Sequence, residues 1–426
     1  MKKSTVITVI VAIVFVSLCV CFAACNLKSC NDRRPGEYGS GDSSETECLH
    51  ENGSWEVIAE PLCEADGERK YSCPDCGKTI VETIPALGHN YVSGVCTRCG
   101  SKKVISGDTY TREGNYIYFG NYPQTKVTDS ATLNALSGYT GTLPTSSNNQ
   151  SWTDCEYYIS GSNTTAFMWY KDVTYSGNKY RAVYFTSYRP FLCDYSSSAD
   201  NSHQDNNGYN TGTVYWFKYE PIKWRILTED DGSAFLMSKI AIDSQQYYHT
   251  ESGARTINGK TVYENNYAES EIRAWLNQTL YNTAFSSVQK SLIKTTLVDN
   301  SAASTNPYHK PSQWNSGTNK YACENTNDKI FLLSLKEVTN NAYGFSRYDT
   351  SDTKRQLKSS DYAKSQGCWQ NTDNSSYLGN CLWWLRSPGY DYSCFARFVN
   401  YDGFASYRYY VYNTYFGVVP ALWLNL

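Results

Sequence analysis

The stretch from Cys381 to Leu426 constrains the fold most, because it places two apolar blocks on either side of a long aromatic and polar segment. The blocks, residues 382–385 and 418–424, are rich in strand-forming side chains, which predicts two buried strands. Between them, residues 390–416 are crowded with Tyr, Phe, Ser, Asp and Asn, and the tyrosines follow neither the period of a strand face nor that of a helix face. The fold must therefore hold an irregular aromatic segment between two core strands.

The composition of residues 390–416 suits a binding surface. Tyr offers a large contact area with little rotamer entropy to lose, and Ser, Asn and Asp add adaptable hydrogen bonds, as in antibody binding loops. The alternative is an ordinary Tyr-rich β-hairpin whose rings pack on neighbouring strands. The Asp402-Gly403 pair is a strong turn signal and favours the hairpin part of that alternative. Composition alone leaves both interpretations open.

A second pattern favours the binding surface. After Ser387 the sequence contains no Lys, Glu, Gln or Met, and its one Trp is Trp423. The residue types that crowd the segment can all be written from an Asn codon by changing only its adenines. The segment therefore resembles the variable region of a diversity-generating retroelement target protein, in which a reverse transcriptase copies a template and scrambles its adenines.

The flanking motifs carry the same resemblance. They are Trp-Leu-Arg-Ser-Pro-Gly at 384–389, Asn-Tyr-Asp-Gly at 400–403 and Gly-Val-Val-Pro-Ala-Leu at 417–422, the last with Val419 where the usual form has Arg. From Tyr118 to Leu426 the chain is also similar to a family of bacterial surface domains of unassigned function.

The resemblance implies a C-type lectin-like fold related to the formylglycine-generating enzyme fold, and a ligand-binding surface on it. Tyr401, Tyr407, Tyr409, Tyr410 and Tyr412 are the expected anchors. The full candidate surface is Tyr390, Asp391, Tyr392, Ser393, Phe395, Phe398, Tyr401, Phe404, Ser406, Tyr407, Arg408, Tyr409, Tyr410, Tyr412, Asn413 and Tyr415.

Residues 107–426 are predicted to form one α+β domain with short strands, two helices and long loops. The helices are expected over 270–280, where apolar residues share one face, and after Ser286 or Ser287. Further strands are expected at 116–124, 184–185, 214–217, 222–227 and 330–333, and surface insertions at 140–165 and 194–213. The 222–227 strand alternates apolar and basic residues, which predicts that one face only is covered.

The chain begins with a predicted export signal, residues 1–25. Two lysines precede an apolar run that ends in Ala-Ala-Cys25, which resembles a bacterial lipoprotein signal with Cys25 as the lipidated residue. The run is nearly long enough to stay as an uncleaved membrane anchor. Residues 26–46 are polar and rich in Gly and Ser, which predicts a flexible tether. Whether Cys25 is lipidated or the apolar run stays as an anchor, the sequence predicts an exported protein anchored at the cell surface.

Residues 47–101 are predicted to form a Cys-rich, zinc-ribbon-like module. Two Cys-x-x-Cys-Gly sequences supply Cys73, Cys76, Cys96 and Cys99 as ligands for tetrahedral zinc. Cys48, His50, Cys63 and His89 are candidates for a second ion, and disulfides are the alternative in an exported chain. The module also resembles a repeat common in surface proteins of Gram-positive bacteria. Because such zinc sites are closed, a structural or adhesive role is expected.

Other classes of function are disfavoured. The net charge of −3 offers no basic surface for nucleic acid, so the expected partner is a protein or glycan outside the cell. His203, His249 and His309 lie in polar stretches with no companion carboxylate or serine motif nearby, which argues against an enzyme. The formylglycine-generating relatives use a cysteine pair, but Cys368 and Cys381 are better explained here as a structural disulfide. A fixed-specificity lectin is the rival, although Asp391 and Asp402 lack the clustered companions that calcium needs.

Overall fold

The computed structural model describes residues 52–63, 65–88, 90–92, 95–100, 109–155, 167–193, 203–250, 252–305 and 321–426. The chain divides into two compact units, residues 1–103 and residues 104–426. The predicted signal and tether lie outside the described residues, as do Cys25, Cys48, His50 and His89. Within the described ranges, no helix has the length and apolar character that crossing a membrane requires.

The first unit is built from strands. They are β1 Ser54–Ala59, β2 Gly67–Ser72, β3 Thr79–Ile84, β4 Tyr91–Val92 and β5 Val95–Cys96. The first three form an antiparallel sheet in the order β1-β2-β3, and β4 pairs with β5. Trp55, Val57 and Val81 on this sheet are exposed, whereas Cys73 and Cys96 are buried. A unit with so few buried apolar side chains needs stabilisation beyond its core.

The second unit is an α+β structure made mostly of strands, which confirms the predicted class. Its strands are β6 Tyr110–Glu113, β7 Tyr116–Lys126, β8 Thr153–Asp154, β9 Met168–Tyr175, β10 Asn178–Phe185, β11 Tyr215–Asp230, β12 Ser233–Ser238, β13 Asp243–Ser244, β14 Arg255–Ile257, β15 Lys260–Val262, β16 Thr296–Val298, β17 Thr326–Asp328, β18 Phe331–Leu332, β19 Trp383–Pro388, β20 Phe395–Val399, β21 Arg408–Tyr410, β22 Gly417–Val418 and β23 Pro420–Asn425.

The helices are short. They are α1 Ser130–Ser137, α2 His203–Asn206, α3 over Glu271–Trp275, Leu276–Leu280 and Tyr281–Ala284, α4 Ser287–Leu292, α5 Ala302–Thr305 and α6 Asp361–Ser365. Helix α3 widens to a π-helical turn over Leu276–Leu280. The predicted helix starts are confirmed, because Ser270 caps α3 and Ser286 forms a capping box with Gln289 at α4.

The larger sheet has nine strands and carries the order β18-β23-β12-β11-β10-β9-β8, with β7 pairing β11 and β6. Strand β11 joins into one bent element the two strands expected at 214–217 and 222–227. The expectation of one covered face at 222–227 is wrong. Arg225 is buried as well as Trp224, because its guanidinium donates to the carbonyl oxygens of Tyr343 at 3.0 Å and Lys354 at 3.5 Å.

The smaller sheet has five strands in the order β13-β22-β19-β20-β21. Both predicted apolar blocks are buried strands. The second block is divided at Val419, because β22 pairs in the five-stranded sheet and β23 pairs in the nine-stranded sheet. Strand β19 buries Trp383 and Trp384, so the segment between the two blocks starts and ends at the core.

The predicted surface insertions are only partly described. Residues 156–166 and 194–202 lie outside the described ranges. The remainder of the second insertion is not a plain surface loop, because α2 buries Gln204 completely. Its side chain accepts a hydrogen bond from the backbone of Arg189 at 2.7 Å and donates one to the carbonyl of Ser365 at 2.7 Å. Helix α2 is therefore part of the packed domain.

Candidate ligand-binding surface and candidate metal centre

The segment 390–416 combines a hairpin with irregular stretches. Strand β20 pairs with β21 antiparallel, with Phe395 opposite Tyr410 and Arg397 opposite Arg408. Strand β21 is the last strand in the order of the five-stranded sheet. The hairpin alternative is thus correct for the middle of the segment, while residues on either side of it follow no regular strand.

The predicted Asp-Gly turn is present between β20 and β21. The amide of Gly403 donates to the carbonyl of Asn400 at 2.9 Å, and the amide of Phe404 donates to the carboxylate of Asp402 at 3.1 Å. Gly403 has a φ of +86°, and a Cβ at this position would lie 2.4 Å from the carbonyl oxygen of Asp352. Both the conformation and the space require glycine here.

The candidate surface residues fall into three groups by exposure. Tyr392, Tyr407 and Tyr409 are the exposed ones, at 57%, 45% and 41%. Half-buried side chains form the second group: Tyr390, Asp391, Ser393, Phe395, Tyr401, Phe404, Ser406, Arg408, Tyr410 and Tyr415.

The third group corrects the predicted surface. Phe398, Tyr412 and Asn413 are buried, with Tyr412 only 3% exposed, because their side chains point into the packed domain instead of toward solvent. Tyr412 therefore cannot serve as the surface anchor that the composition predicted. These three side chains pack between the segment and the rest of the domain.

Ring contacts join the exposed tyrosines to the core. Phe398 lies 5.8 Å from Tyr407 and 6.4 Å from Tyr409 between ring centroids, and 4.8 Å from Phe416. Phe416 stacks on Trp384 of β19 at 4.0 Å. The exposed rings thus rest on a continuous aromatic layer, which limits their motion and the entropy that a ligand would have to remove.

A second ring cluster lies on the opposite side of the hairpin. Phe395 contacts Tyr392 at 5.0 Å and Tyr410 at 4.6 Å, and Tyr410 contacts Tyr412 at 5.1 Å. Because Tyr409 and Tyr410 are themselves 5.5 Å apart, the two clusters meet at the edge strand. The exposed tyrosines therefore lie on two sides of the hairpin, and their ring clusters together form its aromatic surface.

Residues outside the segment extend this surface at two places. Tyr401 contacts Trp369 at 5.5 Å and Tyr377 at 5.8 Å, both from the loop between α6 and β19. Tyr415 packs 4.8 Å from the ring of His203. Burial lowers the pKa of His203 to about 4, so this imidazole is neutral near neutral pH.

Charge on the segment is locally balanced. The carboxylate of Asp391 binds Arg408 through both Nε and Nη2, and Tyr390 lies 4.9 Å from the Arg408 guanidinium. The hydrogen bond to Asp391 raises the pKa of Arg408. Arg397 is buried beside them, and burial together with the charge of Arg408 lowers its pKa to about 10.

The segment is held mainly through its backbone. The side-chain amide of Asn265 donates to the carbonyls of Tyr392 and Phe395, each at 3.0 Å, while its backbone amide donates to Ser393 at 2.9 Å. At the turn, Arg355 donates to the carbonyl of Gly403 at 2.7 Å.

Further contacts repeat this arrangement along the segment. Side-chain donors reach the carbonyls of Tyr401 from Asn380 at 2.9 Å, of Asp402 from Gln356 at 3.0 Å and of Thr414 from Ser244 at 2.9 Å. Backbone donors reach the carbonyls of Val411 from Tyr247 at 2.9 Å, of Tyr412 from Cys193 at 3.0 Å and of Tyr415 from Trp369 at 2.9 Å. Sequence reasoning missed all of these donors, and nothing local distinguishes Asn265 from the neighbouring Asn266.

The residues of the flanking motifs are explained by their contacts in the core. Arg386 is fully buried and forms an ion pair with Glu337 at 2.5 Å, and Ser387 accepts a hydrogen bond from the amide of Leu335 at 2.8 Å. A Cβ on Gly417 would lie 2.6 Å from the Cβ of Ala241. These residues hold both ends of the segment in the core.

A separate pocket of about 290 Å³ lies between β7, β10, α3 and α6. Its wall includes Trp275 and Tyr170, and its polar groups include Asp243, whose carboxylate accepts a hydrogen bond from Tyr122 at 2.6 Å. Burial raises the pKa of Asp243. Arg181, also at this pocket, is paired with Asp172 at 2.8 Å. Aromatic faces beside polar groups can bind a small polyhydroxylated ligand.

One expectation about histidines needs correction. His249 does have a neighbouring carboxylate, because its Nδ1 contacts Glu271 at the start of α3. Glu271 also accepts from Gln246 at 3.3 Å, and Gln246 accepts from Arg189 at 2.7 Å. These residues are separated in sequence and converge because the chain before α3 folds back on the helix.

The candidate metal centre lies in the first unit. The sulfur atoms of Cys63, Cys96 and Cys99 lie within 4.8 Å of one another, and those of Cys63 and Cys96 are 3.7 Å apart. Three such cysteines could hold a metal ion. Burial and the neighbouring thiols raise the pKa of Cys63 to about 12, so an ion would have to displace its proton. Cys73 and Cys76 are outside this cluster.

Both Cys-x-x-Cys-Gly sequences form short turns that end in a glycine. The amide of Gly77 donates to Cys73 and that of Gly100 donates to Cys96, each at 2.9 Å. Both glycines have positive φ values, +70° and +73°. Next to the second turn, Arg98 donates to the carbonyl of Leu87 at 2.6 Å, which fastens the chain before the turn.

Comparison with known proteins gives one match. Residues 231–426 match the model of a family described as a domain of unknown function (DUF6273). This range contains β12 to β23, and hence the whole five-stranded sheet with the segment 390–416, whereas β6 to β11 precede it. No curated protein and no solved structure matches the chain.

Proposed function

We propose that this chain is an exported, surface-anchored binding protein without enzymatic activity. Its C-terminal domain has a C-type lectin-like fold and presents a Tyr-rich surface that is diversified by adenine mutagenesis. The partner is a protein or glycan outside the cell. The observation that carries the proposal is that residues outside the segment hold its main-chain carbonyls, while Tyr392, Tyr407 and Tyr409 face solvent.

Main-chain contacts suit a segment whose side chains change. Every residue supplies the same carbonyl oxygen, so the hydrogen bonds from Asn265, Arg355, Gln356 and Asn380 survive any substitution that leaves the backbone path intact. The exposed tyrosines can then vary in chemistry without loss of the scaffold. Tyr is well suited to such a surface, because it combines a large apolar ring with a polar tip.

The decisive test is the DNA beside the gene. We expect a near copy of the coding sequence for residues 390–416 and an adjacent reverse-transcriptase gene. The copy should differ from the gene only where the copy has adenine. We further expect the differences to fall on exposed and half-buried positions, and to spare Phe398, Tyr412 and Asn413. If there is no copy, or one that differs at other bases, the diversification proposal is wrong.

A binding test addresses the surface itself. Peptides selected from a displayed library against the wild-type protein, and eluted by competition with excess free protein, serve as probes. Replacing Tyr392, Tyr407 and Tyr409 together by Ser should weaken binding of most probes at least ~30-fold, because aromatic anchors dominate such interfaces. Tyr139→Ser is the matched control, since Tyr139 is 43% exposed and lies outside the segment. Equal affinities for the triple variant and the control would refute the assignment.

The rival function, glycan binding of fixed specificity, is favoured by one observation, the pocket beside Trp275 and Asp243. It predicts binding on a glycan array that Trp275→Ala removes and that the triple tyrosine variant keeps. The proposed function predicts the opposite pattern. Calcium should have no effect on binding at the tyrosine surface, because Asp391 is already paired with Arg408.

The first unit is proposed to be a structural zinc module. The cluster of Cys63 with Cys96 and Cys99 supports an ion held by these three thiols. Cys73, Cys76, Cys48, His50 and His89 are candidates for its fourth ligand or for a second ion. Elemental analysis of the purified chain should give one or two zinc ions, and Cys63→Ser should lower the zinc content. Cys323→Ser in the second unit is the control, and an absence of zinc would favour disulfides.

Anchoring is proposed to occur through Cys25. In a bacterial host, metabolic labelling with a fatty acid should mark the wild-type protein and not Cys25→Ala. The variant should still be exported. Labelling of neither protein would favour an uncleaved N-terminal membrane anchor, and labelling of both would place the lipid on a residue other than Cys25.

A further inference from the structure

Two cysteines of the second unit meet in its core. Cys368 follows helix α6 and Cys381 precedes β19, and both are fully buried. The bridge that pairs Gln370 with Cys381 brings the chain just after Cys368 against Cys381, and the neighbouring thiol of Cys368 raises the pKa of Cys381. Each backbone is fixed, because the amide of Cys368 donates to Ala363 at 3.0 Å and that of Cys381 donates to Leu357 at 2.8 Å.

Strand β22 lies next to the cysteine pair. A Cβ on Gly417 would lie 3.4 Å from the sulfur of Cys368, and the amide of Gly417 donates to the carbonyl of Leu382 at 2.8 Å. Strand β22 therefore packs against Cys368 and is hydrogen-bonded to Leu382, the residue that follows Cys381. The pair is shielded from solvent on the side that faces the five-stranded sheet.

The chain between the cysteines supports the candidate surface. Within it, Trp369 donates its amide to Tyr415 at 2.9 Å, and Asn380 donates its side-chain amide to Tyr401 at 2.9 Å. The rings of Trp369 and Tyr377 contact Tyr401. Residues 369–380 thus form one wall of the segment 390–416, and any restraint on their ends also restrains that wall.

We propose that Cys368 and Cys381 are a disulfide site that closes this wall. In the reaction each thiol loses one proton and one electron, the two sulfur atoms bond, and a small disulfide oxidant is reduced to two thiols. The inference concerns the fold of the domain and holds whether or not residues 390–416 are diversified.

The disulfide between Cys368 and Cys381 has to form before the hydrophobic core of the second unit is fully packed. The contact with Cys368 and burial raise the pKa of Cys381, so the reactive thiolate is scarce in the finished fold. Before the core is packed, both thiols are open to the oxidant, and the short loop between them costs little entropy to close. Once buried, the bond is protected from external reductants.

The test is to map the bond in the wild-type chain. The protein is refolded in a mixture of oxidised and reduced glutathione, alkylated under denaturing conditions and digested. We expect a peptide pair joined through Cys368 and Cys381, with neither cysteine alkylated. Recovery of both as alkylated peptides, or joined to other cysteines, would overturn the proposal. Because this measurement uses no variant, a folding defect cannot obscure it.

Two further measurements test the consequences. The oxidised protein should melt about 5–10 °C above its fully reduced form, since the closed loop is of moderate length. Dithiothreitol should reduce the bond only when denaturant is added. The control is Cys155→Ala, whose melting temperature should keep the same dependence on oxidation, whereas Cys381→Ala should lose it. Rapid reduction in the native state would contradict the buried position of the bond.

Discussion

The guanidinium of Arg355 donates its Nε hydrogen to the carbonyl oxygen of Gly403 at 2.7 Å, deep in the second unit. Its other four hydrogens also bind main-chain carbonyls, at distances of 2.5 to 3.0 Å. These belong to Val338, Ser346, Arg347 and Thr350. One buried side chain therefore links the turn of the candidate surface to four other main-chain carbonyls at once.

Arg355→Lys should destabilise the second unit by about 3–5 kcal/mol. Lysine keeps the charge, but its three hydrogens cannot replace five directed bonds, and several buried carbonyls lose their donors. Urea unfolding followed by tryptophan fluorescence measures the loss. The control is Arg347→Lys, because the Arg347 side chain is exposed and paired at the surface with Asp349, where a change should cost less than ~0.5 kcal/mol. Similar losses of stability for both variants would contradict the role of Arg355 in holding the turn.

Gly403→Ala should be more damaging than a glycine replacement at an open turn. The methyl group would meet the Asp352 carbonyl, and the φ of +86° disfavours any side chain. Gly259 is the matched control, with a φ of +75° and open space around its Cβ position. We expect about 1 kcal/mol for Gly259→Ala and at least ~2 kcal/mol more for Gly403→Ala, from melting temperatures and urea midpoints. Equal costs would mean that the contact with Asp352 relaxes freely.

Exposed and buried positions of the segment should differ in tolerance. Tyr407→Ser should change the free energy of unfolding by less than ~1 kcal/mol, because Tyr407 is 45% exposed and leaves no buried cavity when it is shortened. Phe398→Ala and Tyr412→Ser should each cost about 3–5 kcal/mol, since they remove buried rings. The free energies are compared by thermal unfolding of the three variants at one pH. If Tyr412→Ser proves as mild as Tyr407→Ser, the buried placement of Tyr412 is incorrect.

Stability should fall in mild acid because of His203. Burial lowers its pKa to about 4 in the folded state, whereas an unfolded histidine has a pKa of about 6.5. The unfolded chain therefore binds more protons between these values, so this contribution to stability is complete above pH ~6.5 and is lost as the pH falls toward ~4. The loss approaches about 3 kcal/mol at the lower end.

Melting temperatures between pH 7 and pH 5 test this dependence, since carboxylates titrate mostly below that range. His203→Phe keeps an aromatic ring against Phe191 and Tyr415 and should flatten the curve. An unchanged slope in that variant would assign the acid sensitivity to other groups.

Features that depend on neighbouring residues in the chain were predictable. Runs of apolar residues gave the positions of β7, β19 and β23, since a buried strand needs a continuous apolar stretch. The turn at Gly403 and the cap at Ser286 were also readable, because each is set by a few adjacent residues.

Features that depend on distant residues were not predictable. Arg225 appeared to be a surface residue of a half-covered strand, but its acceptors Tyr343 and Lys354 lie more than a hundred residues away in the chain. The same reason explains Cys63, which joins Cys96 and Cys99 in space although the sequence pairs it with neither. Tyr412 was predicted to be a surface anchor but is buried. Composition cannot distinguish an exposed tyrosine from a buried one.

Strand β23 lies between β18 and β12 in the nine-stranded sheet, although it follows the segment 390–416 in the chain. During synthesis the sheet therefore stays open until the ribosome has translated past that segment. A premature stop or a shifted reading frame within 390–416 would delete the strand that closes the sheet, and the product would be left for proteases. The nine-stranded sheet can therefore be completed only in chains that are translated in frame through residues 390–416.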